Sequence, residues 1–125
     1  MTIKLIVILF GGGLGAVCRF LFSESIYNLW GRAFPYGILA CNVIGSLIMG
    51  ILTALFIYKL HIGDVWKAAL LTGFLGGFTT FSSFSIDTLN LINAGEYIKA
   101  GIYILLSLIL TLGFVFIGFL IGKSI

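Results

Sequence analysis

Residues 73–85 form a run of glycines, phenylalanines and hydroxyl side chains inside a stretch long and apolar enough to cross a membrane. Gly76 and Gly77 weaken a helix here and are expected to adopt the unusual dihedrals of a helix break. Five hydroxyl residues follow them: Thr79, Thr80, Ser82, Ser83 and Ser85. A break exposed to lipid would strand backbone N–H and C=O groups in hydrocarbon, so breaks persist where these groups contact protein, water or an ion. The run therefore predicts a broken helix and is the first candidate for function.

Two aromatic side chains lie among these hydroxyls. Phe81 and Phe84 are three residues apart and share one face if the helix resumes after the break. The edge of a phenyl ring carries partial positive charge. Ring edges can therefore contact a small anion without binding it strongly, and weak binding favours conduction. Phenylalanine is common in this chain, at 12 of 125 residues, so the alternative for each ring is packing or lipid contact.

Arg19 and Asn42 are polar residues in the first and second apolar stretches. A cation at the centre of a membrane helix costs about 2.5–3.5 kcal/mol on insertion scales. Arg19 fits two roles equally: a cation that attracts anions into a water-filled vestibule, or an arginine that reaches the membrane interface or holds a helix end. Asn42 is either an interhelical hydrogen-bonding group or a donor on a permeation path, since its amide carries two N–H groups.

Three hydroxyl residues recur at every fourth position in the last apolar stretch: Tyr103, Ser107 and Thr111. This spacing places them in one stripe along a helix face. The stripe predicts a polar track through the membrane. The alternative is that the Ser and Thr hydroxyls bond carbonyls of their own helix.

The elements that must position these residues are four membrane helices. The chain has 125 residues, of which 61% are hydrophobic and 9% charged, whereas soluble domains carry about 25% charged residues. A helix needs about 20 apolar residues to cross the bilayer core, and four stretches are long enough: residues 5–29, 36–58, 65–92 and 98–121. The sequence predicts one all-α integral membrane domain over residues 1–125, embedded in the lipid bilayer, with its third helix broken.

Small residues recur four apart in three of these helices and predict close helix packing: Gly11 with Gly15, Ser46 with Gly50, and Gly118 with Gly122. Paired carboxylates, a Ser-His-Asp set, a phosphate-binding loop and metal-ligand clusters are absent from the sequence. We therefore expect a protein that is not an enzyme.

The charge distribution encodes orientation only weakly. The net charge of +3 is too small to indicate nucleic-acid binding. One end of the bundle would carry two cations, Arg32 and Lys99, and the other end four: Lys4, Lys59, Lys67 and Lys123. This excess favours a cytoplasmic N-terminus, yet so small a bias permits insertion in both directions.

Taken together, these motifs resemble the Fluc (CrcB-type) family of small fluoride channels, nearly from end to end. Residues 11–20 resemble the family's glycine-rich first helix, which ends in an arginine and an aromatic residue, and residues 35–45 resemble the start of its second helix. Residues 73–84 are similar to its signature motif. Two positions depart from the family pattern. Ser83 stands where Thr is common, which keeps the hydroxyl, and Leu108 stands where Asn is frequent.

The resemblance implies a dual-topology homodimer, in which a second copy of the chain is inserted antiparallel to the first, with two fluoride pores. It implies that Phe81 and Phe84 form an aromatic box in the pores and that Arg19 lies at the vestibule. Hydroxyl and amide groups would line the rest of the path: Asn42, Ser82, Ser83, Tyr103, Ser107 and Thr111.

A structural Na⁺ ion is also implied, held at the dimer centre by the backbone carbonyls of Gly76 and Thr79 from both subunits. Carbonyls freed by a helix break are hard oxygen ligands that suit Na⁺. An isologous interface brings two copies of one break to the same ion. The implied function is passive fluoride export across the inner (plasma) membrane, which relieves fluoride toxicity.

Two other functions compete with the channel. A small dual-topology multidrug or cation exporter relies on a carboxylate deep in its first helix. Here the only acid of the first span is Glu24, close to its end, and the central charge is Arg19. A non-transporting assembly subunit would need neither a hydroxyl stripe nor a helix break. The sequence therefore favours the fluoride channel.

Overall fold

Four helical spans make up nearly the whole chain in a computed structural model that describes residues 1–125. By length and composition, each span can cross a membrane. Three are continuous helices: α1 (Thr2–Trp30), α2 (Tyr36–Tyr58) and α6 (Tyr97–Ser124). The third span, Asp64–Asn93, is composite. The prediction of four apolar helices is confirmed, and their bounds lie within a few residues of the predicted ones.

The third span contains α3 (Asp64–Lys67), a π-helical segment (Ala68–Leu75), α4 (Gly76–Phe78) and α5 (Phe81–Asn93). The π-helical segment has no counterpart in the sequence prediction. Between α4 and α5 the chain is extended, with φ −87° and ψ 154° at Thr79 and φ −154° and ψ 121° at Thr80. The predicted break therefore exists, and it lies at the two threonines.

The break does not lie at Gly76, where unusual dihedrals were expected. The φ of −62° and ψ of −36° at Gly76 are ordinary helical values, so the expectation of unusual dihedrals at this glycine is wrong. β-branched threonines favour extended backbone, and a threonine hydroxyl can cap the helix that follows. The break consequently forms at Thr79 and Thr80, while the neighbouring glycine Gly77 serves close packing against α1.

Glycines on α1 and on the third span let the two backbones touch. A Cβ atom at Gly77 would overlap the Gly12 carbonyl oxygen, and one at Gly15 would overlap the Phe74 carbonyl oxygen. A Cβ at Gly11 would lie 2.7 Å from the Ala69 carbonyl oxygen. The packing predicted for the first glycine pair is confirmed.

A second close contact joins α2 to α6. A Cβ atom at Gly118 would overlap the Leu47 carbonyl oxygen, and one at Gly50 would overlap the Val115 carbonyl oxygen. A Cβ atom at Gly122 would lie 2.5 Å from the carbonyl oxygen of Ile51. The close packing predicted for Gly118 and Gly122 is therefore confirmed. Gly50, from the Ser46–Gly50 pair, also packs closely, as predicted. The two close helix pairs hold α2, α5 and α6 around a shared space beside the break.

The outer surface of the bundle is apolar, with exposed side chains such as Phe10, Leu9 and Phe116 at 72%, 70% and 68%. So large an apolar surface requires a hydrocarbon environment or a partner. The few ion pairs lie near the helix ends, as with Lys4 and Asp64 at 3.8 Å. They are solvent-exposed, so they contribute little to stability.

Candidate functional site

Asn42 on α2 holds the break through two hydrogen bonds to one residue. The Thr80 backbone N–H donates to Asn42 Oδ1 at 2.8 Å, and Asn42 Nδ2 donates to the Thr80 carbonyl at 3.1 Å. The carboxamide thus gives the extended Thr80 the two bonds that a neighbouring strand would give. One N–H of the amide remains free to donate elsewhere.

The Thr80 side chain restarts the helix. Its Oγ1 accepts a hydrogen bond from the Ser83 backbone N–H at 3.1 Å, which makes it the N-cap of α5. The same oxygen lies 3.2 Å from Ser82 Oγ. A side-chain cap of this kind contributes about 1 kcal/mol to a helix, so the Thr80 hydroxyl helps to fix where α5 begins.

Gly76 and Thr79 are among the residues whose carbonyls lose their usual helical partners at the break. In a continuous helix the Thr80 N–H would bond the Gly76 carbonyl, and the Ser83 N–H would bond the Thr79 carbonyl. Both donors are engaged elsewhere, with Asn42 and with the Thr80 hydroxyl. Gly76 is also exposed on the surface of the single chain.

These two carbonyls are the groups that the resemblance implies as Na⁺ ligands. They are uncharged hard oxygens at the C-terminal end of a half-helix, which is the donor type that broken membrane helices present to Na⁺. Their loss of helical partners fits the role, and the Na⁺ site itself stays a prediction.

Arg19 bonds one of the two carbonyls that lie between them in the chain, that of Gly77. Its Nη1 donates to the Gly77 carbonyl oxygen at 2.7 Å, across 58 residues of sequence. The structure thus places Arg19 at a helix end, one of the roles that the sequence left open. Its role at a vestibule stays a prediction.

Phe81 and Phe84 lie on one side of α5, with ring centroids 5.4 Å apart and an interplanar angle of 44°. Phe84 is half-buried and lies 5.2 Å from the ring of Tyr103. Phe81 is 76% exposed in the single chain. Its ring therefore projects toward whatever packs on this face, be it lipid or a partner.

A cavity of about 260 Å³ lies between α2, α5 and α6, and we call it the ring cavity. It brings together five of the predicted pore residues: Asn42, Phe81, Phe84, Ser107 and Thr111. No lysine, arginine, aspartate or glutamate lines it. Its polar contacts are therefore amide and hydroxyl groups, and its apolar contacts are the ring edges and faces.

Ser107 lines the ring cavity and carries an unpaired hydroxyl. The side chain is buried, and its hydroxyl has no hydrogen-bond partner in the chain. Thr111 differs, because its hydroxyl donates to the Ser107 carbonyl at 2.5 Å. Buried hydroxyls nearly always have a partner, so Ser107 stands out among the residues that line the cavity.

Tyr103 lies on the same helix but does not line the ring cavity. It is fully buried, and its hydroxyl donates to Asp87 Oδ2 at 3.1 Å. The sequence analysis did not predict this pair. The signal was present, because an acid inside a membrane helix needs a partner.

A second and larger cavity of about 580 Å³, the mouth cavity, lies between α1, the α1–α2 connection and α5. Ser82, Ser83 and Asp87 line it from α5, and Glu24 and Arg32 line it from the other side. Ser82 and Ser83 therefore lie on a different face of α5 from the two phenyl rings. Their role in a pore stays a prediction.

Family membership follows from sequence comparison. The model of the family described as CrcB-like protein, Camphor Resistance (CrcB), matches residues 6–119. The chain belongs to the CrcB-like family. This confirms the resemblance found in the motifs.

Relatives in the CrcB-like family carry the name Fluoride-specific ion channel FluC. The one from Coxiella burnetii (strain Dugway 5J108-111) is 46% identical over 124 residues, covering 98% of this chain and 99% of the relative. The one from Photobacterium profundum is 49% identical over 109 residues, covering 87% and 86%. The one from Francisella philomiragia is 46% identical over 123 residues, covering 95% and 94%. CrcB-like proteins under this name are ion channels, so the prediction that the chain is not an enzyme is confirmed.

Proposed function

We propose that this protein is a fluoride-specific channel that lets fluoride leave the cell passively through the inner (plasma) membrane and so relieves fluoride toxicity. The ring cavity carries the proposal, because it joins two phenyl rings, an amide and an unpaired hydroxyl. The identity of the ion is supported by relatives of nearly equal length that carry the name Fluoride-specific ion channel FluC.

The chemistry of the ring cavity suits a small anion that binds weakly enough to permeate. The Ser107 hydroxyl and the free N–H of Asn42 can replace part of its hydration shell. Ring edges of Phe81 and Phe84 add weak positive potential. No full positive charge lines the cavity, so the anion meets donors without a strong ion pair, and that favours release.

The working unit would be an antiparallel homodimer with two pores. Two features of the chain support it. Phe81 and Gly76 are both exposed in the single chain, which leaves one ring and one freed carbonyl open to a second copy. The weak charge bias between the two ends permits insertion in either direction.

One structural Na⁺ would lie where the two breaks meet, held by the Gly76 and Thr79 carbonyls of both subunits. When bound, such an ion would offset the negative ends of the two half-helices. The role of the chain is to free these carbonyls from helical hydrogen bonds and to hold them in place.

Fluoride efflux from proteoliposomes tests the channel directly. We expect an electrode to record efflux that runs down the fluoride gradient and needs no Na⁺ gradient, because the proposed Na⁺ is structural. Prolonged Na⁺ depletion is expected to reduce the rate. Efflux strictly coupled to a Na⁺ gradient would indicate a cotransporter, and absence of efflux with proton-driven release of cationic drugs would indicate an exporter.

Dual insertion predicts that one terminus lies on both sides of the membrane. In a Ser124→Cys variant with Cys18 and Cys41 replaced by Ala, a thiol reagent that cannot cross the membrane is expected to label about half of the chains in intact cells. The remainder should react after permeabilisation. Labelling of all chains from one side would exclude the antiparallel homodimer.

A further inference from the structure

Arg19 makes the only side-chain contact that reaches from α1 to the freed carbonyls of the break. Its guanidinium is partly buried, and Nη1 lies 2.7 Å from the Gly77 carbonyl oxygen. It lines neither the ring cavity nor the mouth cavity. The positive charge of Arg19 therefore interacts with the backbone of the third span and not with either cavity.

Gly77 is held on two sides. Its Cα side packs so closely on the Gly12 backbone that no Cβ would fit, and its carbonyl is fixed by Arg19. Successive residues of a helix point about 100° apart around the axis. Fixing Gly77 therefore also fixes the direction of the Gly76 carbonyl, which lies on the exposed side.

The positive charge of Arg19 lies at the C-terminal end of α4. The C-terminal end of a helix carries partial negative charge on its unpaired carbonyls, and this charge attracts cations. Arg19 occupies one of these carbonyls with a cation that belongs to the chain. A second cation is then left with the neighbouring carbonyls, and Asn42 already engages that of Thr80.

We propose that Arg19 is a positioning residue for the Na⁺ site: it engages the Gly77 carbonyl and holds the end of α4 so that the carbonyls of Gly76 and Thr79 are kept in place for the ion. This inference rests on the Na⁺ site of the proposed function. It assigns Arg19 a task different from attracting anions into a vestibule.

The test compares three variants of the purified full-length protein. Arg19→Met removes the donor and the charge, whereas Arg19→Lys keeps a charged N–H donor. Lys59→Met is the matched control, since Lys59 is exposed at the end of α2 and makes no ion pair. Two readouts are independent of flux: the Na⁺ concentration that gives half of the Na⁺-dependent rise in melting temperature, and hydrogen exchange of the Thr79 and Thr80 amides.

Arg19→Met is expected to raise that Na⁺ concentration about tenfold, as loss of a hydrogen bond to a charged group would, and to speed exchange of both amides. Arg19→Lys should lie between this variant and the wild type, and Lys59→Met should match the wild type. If Arg19→Met fails to fold, the shift in Arg19→Lys decides.

An unchanged Na⁺ response in the Arg19 variants, with lower efflux, would overturn the positioning role and leave anion attraction as the function of Arg19. If Na⁺ does not change the melting temperature of the wild-type protein, the Na⁺ site is contradicted, and this inference with it. The channel function would still be tested separately by fluoride efflux.

Discussion

Phe81→Ile is expected to lower fluoride efflux about tenfold, which corresponds to about 1.4 kcal/mol at the barrier. Isoleucine keeps much of the apolar volume but lacks the positive ring edge that a small anion would meet. Phe81 is 76% exposed in the single chain, so its loss leaves no cavity in the folded subunit. We therefore expect the variant subunit to fold, so that a fall in efflux reports on the assembled pore.

Phe84→Ile should lower efflux at least as much, and it should also cost some stability, because the Phe84 ring packs on Tyr103 at 5.2 Å. Phe10→Ile is the matched control: Phe10 is 72% exposed on α1 and lines none of the cavities described above. Normal efflux in both pore variants, measured on dimers of wild-type yield, would return the two rings to a packing role.

The second large effect is expected from a pair of adjacent glycines. A methyl group at Gly77 would overlap the carbonyl oxygen of Gly12, a backbone atom that cannot rotate aside as a flexible side chain could, so Gly77→Ala should abolish folded protein. The same methyl at Gly76 would come no closer than 3.6 Å to its nearest neighbour, the Leu71 carbonyl oxygen. Because Gly76 is helical, alanine should even favour the helix by up to about 1 kcal/mol.

Gly76→Ala therefore separates the single chain from the assembly. If two breaks meet around Na⁺, the added methyl group crowds the partner, and we expect a folded chain that has lost most of its dimer fraction and its efflux. Size-exclusion chromatography with efflux measurement reads both. Wild-type dimer and efflux in Gly76→Ala would show that no partner approaches Gly76, which would contradict the proposed Na⁺ site.

Much of the fold could be predicted because hydrophobicity is a property of each short stretch. Four apolar stretches predicted four helices, and the three small-residue spacings predicted close helix packing. The break was also predictable as an event, since glycines and hydroxyl residues interrupt the third stretch. Its position was not, because Thr80 becomes extended through bonds to Asn42, which lies 38 residues away in sequence.

The site was predictable in part for the same reason. The spacing of Phe81 and Phe84 placed both rings on one face, and the ring cavity contains them. Periodicity also separates Ser82 from Phe81 by about 100°, and the two do line different cavities. What no local pattern could give is the pairing of distant groups, such as the Tyr103 hydroxyl with Asp87 or Arg19 with Gly77.

The two side chains that satisfy the broken backbone also have a place in the order of synthesis. Arg19 and Asn42 belong to α1 and α2, and both precede the third span in the chain. A nascent protein emerges from its N-terminus, so these two donors enter the membrane before the threonines that need them. The third span can then dock as it inserts, and its freed N–H and C=O groups meet protein from the outset. In a circular permutation that placed the third span first, the broken segment would enter the membrane before Arg19 and Asn42.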